Sequence, residues 1–85
     1  MILLAVFRSR AQSLDYGQKL NAYGVPSTTM PTPKEAKIGC GLCVKFDARY
    51  YAQAQALLKR YGYSTFKGFY RLEFVNGRIT VFPYR

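Results

Sequence analysis

The most reactive side chains in this 85-residue chain belong to two cysteines, Cys40 and Cys43, and the chain contains no histidine. A thiol reacts as its thiolate, so a functional cysteine needs surroundings that lower its pKa. Cys40 lies between Gly39 and Gly41, whose backbone can bend so that N–H groups face an anion. The sequence therefore predicts Cys40 as the functional thiol. The alternative is a small buried apolar residue, which is common for free cysteines.

Two sets of residues around Cys40 are expected to support a thiolate there. Positive charge favours an ionised thiol, and the nearby cations are Lys34, Lys37 and Lys45. Each proline fixes its own φ and restricts the residue before it, so prolines stiffen a connection. The residues expected to hold this connection in one shape are Pro31, Thr32 and Pro33.

Cys43 is the second candidate catalytic residue, because Cys40-Gly-Leu-Cys43 is a C-x-x-C pattern of the kind that can act as a redox pair. In an extended strand the two thiols would point to opposite faces. A resolving role for Cys43 therefore requires a bend within residues 39–42. The sequence leaves two roles open, a resolving thiol and a half-buried strand residue, and it favours the second. Two thiols without histidine cannot complete a tetrahedral zinc site, so no metal is expected.

Hydrophobic patterns and capping residues predict the elements that position these cysteines. The expected elements are strands over residues 2–7, 25–30 and 42–46 and helices over residues 10–23 and 48–61. Ser9 and Asp47 are the expected N-caps of the two helices, and Gly24 and Gly62 the residues that end them. The helical stripes are expected at Tyr16, Leu20 and Tyr23 in the first helix, and at Tyr51, Ala54, Leu58 and Tyr61 in the second.

Asn76-Gly77 lies between two runs rich in β-forming residues, which predicts a hairpin with a two-residue type I′ turn. The register this turn sets pairs Val75 with Arg78 and places four apolar residues on one face: Leu72, Phe74, Ile79 and Val81. The whole order predicts one α+β domain over residues 1–85. Its expected architecture is a ferredoxin-like β-α-β-β-α-β split sandwich with an extra C-terminal hairpin strand.

Residues 30–46 resemble the signature of the selenium/sulfur carrier-like family of small bacterial proteins. The matching pieces are Met30-Pro31-Thr32-Pro33 with basic Lys34, then Cys40-Gly41-Leu42, then Val44-Lys45-Phe46. The resemblance covers roughly residues 3–66 by pattern matching. The chain departs from the pattern at Lys34, where arginine is usual, at Gly39, where a small polar residue is common, in its extra Cys43, and in a hairpin beyond the usual family end.

The resemblance implies a carrier protein more than a turnover enzyme. Cys40 would accept a sulfane sulfur or a selenium atom as a persulfide or selenopersulfide, with no other cofactor, and would pass it between donor and acceptor proteins. The scattered acidic residues and the absence of histidine and of a phosphate-binding glycine loop argue against conventional hydrolase or kinase chemistry.

Net charge keeps two other functions open. The chain has 13 Lys and Arg against 4 Asp and Glu, a net charge of +9, and such a field attracts anions. One alternative is a single-stranded nucleic-acid-binding module that uses tyrosine and arginine surfaces. The other is a non-catalytic regulatory domain that dimerises, with the C-terminal hairpin as the edge that pairs.

The apolar run at residues 1–7 is too short to span a bilayer. It also lacks the basic region and the cleavage site of a secretory signal. No membrane association is therefore expected, and two closely spaced cysteines favour a reducing cytoplasm over an oxidising compartment.

Overall fold

A computed structural model describes residues 1–34 and 41–84 of the chain. The elements are β1 (Ile2–Phe7), α1 (Arg10–Ala22), β2 (Ser27–Pro31), β3 (Leu42–Asp47), a 3-10 turn (Ala48–Tyr50), α2 (Tyr51–Tyr61), β4 (Phe66–Val75) and β5 (Arg78–Tyr84). The strands form one antiparallel sheet in the order β2-β3-β1-β4-β5. This α+β arrangement is compatible with the ferredoxin-like split sandwich predicted from the sequence, with β5 as the added strand.

The residues that cap the start of the first helix and follow its end are the ones that the sequence predicts. The Ser9 hydroxyl accepts the Gln12 N–H at 3.2 Å, which satisfies one of the unpaired donors of the first turn. Gly24 takes a φ of +84° just after the helix, where residues with a side chain are disfavoured. The helix ends at Ala22, so the prediction that Tyr23 belongs to its apolar stripe is wrong. Tyr23 is 50% exposed instead.

The second helix begins later than predicted, because Asp47 caps a tighter turn. The Asp47 carboxylate accepts the Arg49 N–H at 2.9 Å, and the α-helical part starts only at Tyr51. Gly62, with a φ of +61°, ends the helix as expected. Of the predicted stripe Ala54 is fully buried, whereas Tyr61 is exposed and is not part of the core.

The two faces of the sheet are covered differently. On the face that carries the helices, Leu3, Ala5 and Phe7 join a large core that includes residues of both helices. On the helix-free face Leu4 and Val6 form a smaller cluster with Cys43. The side chains packed against this second cluster come from other strands: Met30, Tyr70 and Leu72. β1 is therefore buried on both faces, which confirms the prediction of a strand over residues 2–7.

The helices are held to the sheet and to each other by close contacts at α1. A Cβ on Gly17 would lie 3.4 Å from Thr29 Cγ2 and 3.8 Å from Val44 Cγ2, within ordinary van der Waals contact, so α1 packs directly on β2 and β3 at this residue. Tyr16 is buried, and its hydroxyl donates to the Ala54 carbonyl at 2.6 Å. That bond joins α1 to α2 and satisfies a polar group in the core.

One edge of the sheet is β2, which starts two residues later than predicted. Val25 is buried but lies before the strand. Thr32 donates its N–H to the Gly41 carbonyl. Because hydrogen-bonded pairs alternate along an antiparallel ladder, the backbone N–H and carbonyl groups of Ser27 and Thr29 and the carbonyl of Pro31 point away from β3. The Asn21 side chain bonds both free groups of Ser27, at 3.2 Å to the N–H and 3.4 Å to the carbonyl. Pro31 has no N–H to offer, so this edge is sealed near both ends.

The opposite edge is the C-terminal hairpin, whose predicted register is confirmed. Asn76 and Gly77 have φ values of +53° and +76°, as a type I′ turn requires. The pairs run from Val75 with Arg78 to Leu72 with Val81 and continue to Phe69 with Tyr84. The four apolar residues that share a face lie on the helix-free side, where Phe74 is 73% exposed.

Candidate functional site

The predicted functional thiol belongs to the connection between β2 and β3. Pro31 pairs with Leu42 at the end of the ladder, and one step further the Thr32 N–H donates to the Gly41 carbonyl at 2.9 Å. The two ends of the connection are therefore bonded to each other. Cys40, Gly39 and Lys37 lie in the segment 35–40, outside the described residues, so the predictions about these three stay predictions.

Gly41 follows Cys40 directly and is the flanking glycine that the structure describes. Its φ is +91°, in the region where a side chain is strained. Among residues 1–34 and 41–84 a Cβ there would meet no atom within 4 Å, so the backbone conformation itself favours glycine at this position. This bend interrupts strand geometry just before Leu42 and lies within residues 39–42, where a resolving role for Cys43 requires one.

The first residue of β3 is anchored to α1 by a serine that the sequence analysis did not single out. Ser13 is fully buried, and its hydroxyl donates to the Leu42 carbonyl at 2.7 Å. Ser13, Tyr16, Gly17 and Leu20 are the buried residues of α1 and follow helical spacing. A serine in phase with an apolar stripe was the available signal, because a buried hydroxyl must find a partner.

Cys43 lies on β3 with its thiol on the helix-free face, where it is fully buried and not half-buried as predicted. Burial raises the pKa of the Cys43 thiol to about 11, and the nearby Thr32 hydroxyl opposes that rise. The Thr32 oxygen is itself buried and makes no hydrogen bond of ordinary geometry with the described residues. Its effect on Cys43 is therefore weaker than that of burial. Such a thiol is a poor nucleophile at neutral pH.

The described prolines and Lys34 lie at the base of the connection, and Lys45 does not. Lys34 is exposed at the start of the connection, whereas Lys45 is exposed on β3 opposite Thr28, four residues from Gly41 and toward the other end of the ladder. Pro31 closes the ladder, while Thr32 and Pro33 are partly buried beside it. The described part of the site thus combines a bonded base, a glycine bend and solvent-facing positive charge.

The middle of the helix-free face does not supply the stacking platform that the nucleic-acid alternative needs, and the strongly exposed Phe74 lies away from it, beside the hairpin turn. The central strand β1 and its neighbour β3 present the buried residues Leu4, Val6 and Cys43 on this face. Tyr70 lies on a neighbouring strand with its ring folded back over Gly68, 3.5 Å from the position of a Cβ. Sheet platforms for single strands carry exposed aromatic rings on which bases can stack. The described residues thus give this alternative no support.

Two further observations concern metal binding and membrane crossing by the described residues. Among residues 1–34 and 41–84 no three histidine, cysteine, aspartate or glutamate side chains gather as metal ligands would. None of the described helices has the length and apolar character needed to cross a bilayer.

The fold and the site define a small α+β domain with a cysteine-bearing connection between an edge strand and a central strand. A family model described as "Putative Se/S carrier protein-like" matches residues 3–71. The chain belongs to this family, which confirms the resemblance found in the sequence. The match includes both cysteines and ends within β4, so the Asn76-Gly77 turn and β5 lie beyond it. No curated protein and no solved structure matches the chain.

Proposed function

We propose that this protein carries sulfur or selenium as a persulfide or selenopersulfide on the thiol of Cys40, and passes the atom from a donor protein to an acceptor protein. The observation that carries the proposal is the family match, because it spans Cys40 and the family is described by this cargo. Two cysteines only three residues apart in the sequence do not form the framework of a disulfide-rich secreted domain, so we expect the protein to act in the cytoplasm.

Cys43 is the less suitable of the two thiols. It is fully buried, and with a pKa of about 11 only about one molecule in ten thousand carries a thiolate there at pH 7. A protein-bound donor also cannot reach a sulfur atom inside the sheet cluster without opening it. Cys40 is therefore the proposed carrier, and Cys43 is proposed to pack the sheet.

The transfer step needs no external oxidant or reductant. The Cys40 thiolate attacks the outer sulfur of a donor persulfide, a new sulfur–sulfur bond forms, and the donor's own sulfur–sulfur bond breaks. The donor leaves as a thiolate, and the outer sulfur with its proton is now on Cys40. In the second transfer a thiolate of the acceptor attacks the outer sulfur on Cys40, and Cys40 leaves as a thiolate. Exposed Lys34, together with Lys37, would favour the attacking Cys40 thiolate and the thiolate that forms on the departing donor.

The direct test is mass spectrometry of the intact protein after incubation with a small-molecule persulfide. We expect a mass increase of one sulfur atom in the natural chain and in Cys43→Ala, and none in Cys40→Ser. Cys43→Ala is the matched control, because it removes a thiol of the same chain while keeping a small apolar group in the cluster. Uptake that survives Cys40→Ser and disappears in Cys43→Ala would overturn the assignment.

The pH dependence of alkylation tests the same assignment by a second route. We expect one thiol to react below neutral pH and to be lost in Cys40→Ser. Reaction of Cys43 should rise only toward pH 11, because burial keeps it protonated until then. If Cys40 stays unreactive until the protein unfolds, it is a packed apolar residue and the carrier proposal fails.

A further inference from the structure

The β5 edge of the sheet is open, unlike the β2 edge. A two-residue turn makes Val75 and Arg78 a hydrogen-bonded pair. The pairs alternate from there, so Arg78, Thr80 and Phe82 bond toward β4. Ile79 and Val81 consequently turn their N–H and carbonyl groups outward. No side chain among the described residues bonds these groups, in contrast to the Asn21 contacts at Ser27.

Apolar surface accompanies this open edge. The exposed large hydrophobic side chains of the hairpin are Phe74 (73%), Val75 (43%), Ile79 (36%) and Phe82 (36%). Apolar side chains along an unpaired strand are a template for adding another strand. Pro83 is the one described residue of β5 that hinders pairing with a further strand, because its position faces outward and it lacks an N–H.

We propose that two copies of this chain pair through β5, antiparallel, about a two-fold axis that passes beside Thr80. In this register Thr80 lies opposite Thr80 of the second copy, and Ile79 lies opposite Val81. Each Ile79–Val81 pair exchanges both of its backbone hydrogen bonds. The two five-stranded sheets become continuous, and the apolar residues of the helix-free side meet across the axis.

The occupant is a second copy because the strand is complementary to itself in this register. Pro83 lies beyond the bonded pairs, so its missing N–H costs nothing. Arg78 is the only charged residue of β5, and it lies opposite Phe82 of the second copy, where a cation can contact the ring. The two Arg78 residues are separated by about 13 Å at about 3.4 Å per residue, beyond the screening length of about 8 Å at physiological salt.

Sedimentation of the full chain across concentration and salt tests the pairing. Each copy carries a net charge of +9, so added salt screens their repulsion and should strengthen a contact made of apolar groups and backbone bonds. We expect a monomer–dimer equilibrium that shifts toward dimer as salt rises. An association that weakens with salt would be ionic and would overturn the proposal, as would a chain that stays monomeric at millimolar concentration.

A charge at the edge should break the dimer. Val81→Lys places like charges beside the axis and should weaken association at least about tenfold. The matched control is Leu14→Lys, which adds the same charge at a residue that is 44% exposed on α1. That variant should associate like the natural chain. Equal weakening in both variants would mean non-specific adhesion and would overturn the pairing. Far-ultraviolet circular dichroism shows that each variant is folded.

Disulfide trapping tests the register itself. In a Cys40→Ser background, Thr80→Cys should form an intermolecular disulfide readily, because residues opposite each other in a non-bonded pair have Cα atoms about 4.5 Å apart. Arg78→Cys, at a more exposed position that is far from its own copy, should not. Equal trapping of the two variants, or faster trapping of Arg78→Cys, would overturn the Thr80-centred pairing even if the chain dimerises.

Discussion

The β2–β3 and β4–β5 pairs occupy opposite edges of one sheet and are finished in opposite ways. The first has its free edge sealed by Asn21 and Pro31 and joins its strands through the connection that carries Cys40. The second joins its strands by two residues, Asn76 and Gly77, and leaves the outward groups of β5 open. The sealed pair lies within the family match and the open strand beyond it. The carrier chemistry and the self-association that we propose would therefore lie in separate parts of the sheet.

The largest expected effect compares two phenylalanines, one in each pair. Phe46 on β3 is 2% exposed and packs against Phe69 with ring centroids 5.9 Å apart. Phe46→Ala should lower the free energy of unfolding by about 3–5 kcal/mol, because it leaves a cavity in the core. Phe74→Ala, at a side chain 73% exposed, should change it by less than about 0.5 kcal/mol.

Urea unfolding at a concentration where the chain is monomeric measures both values. Phe46→Leu serves as the milder variant if Phe46→Ala does not fold. Equal losses in the two alanine variants would mean that the hairpin packs as tightly as the centre of the sheet.

The next largest effect on the free energy of unfolding is expected at Gly41 and Gly77, whose φ values are +91° and +76°. Valine at either position should cost about 1–3 kcal/mol of unfolding free energy, since a branched side chain is strained there. The two variants should separate in sulfur uptake: Gly41→Val should reduce persulfide formation on Cys40, and Gly77→Val should leave it unchanged. Reduced uptake in Gly77→Val, measured by mass spectrometry on folded protein, would contradict the separation of the two pairs.

The smallest effect tests the seal on β2. Asn21→Ala removes the side-chain bonds to Ser27 and one to the Gly17 carbonyl, and should cost about 1 kcal/mol. It should also speed amide hydrogen exchange at Ser27, whose N–H would then face water. Gln18→Ala, at an exposed residue of the same helix, is the control and should leave exchange at Ser27 as it was. Unchanged exchange in Asn21→Ala would show that the amide does not protect this edge.

Local signals predicted the parts of the fold that depend on a few neighbouring residues. The hairpin register follows from the backbone preferences of Asn76 and Gly77, the start of α1 from Ser9, and the end of α2 from Gly62. Each of these residues acts within a turn of its own position, so the sequence is enough to identify it.

The features that the sequence did not predict depend on distant residues. The sequence analysis favoured a half-buried Cys43, whereas its complete burial comes from residues on other strands, among them Leu4, Val6 and Met30. Tyr23 matched the helical stripe, yet α1 ends before it, and its hydroxyl meets that of Tyr61 at 3.0 Å. The spacing of residues along the sequence predicts neither the packing around Cys43 nor the contact between Tyr23 and Tyr61.

The central position of β1 determines the order in which the sheet can be completed. Its neighbours in the sheet are β3 and β4. Ile2 of β1 pairs with Asp47 of β3 and with Leu72 of β4, and both residues come much later in the chain. A ribosome therefore releases the central strand long before either neighbour exists. The apolar segment must remain unpaired at least until β3, at Leu42–Asp47, has been made, and until then it is open to chaperones and to aggregation. Substitutions in β1 should thus affect the yield of native protein more than their cost in unfolding free energy indicates.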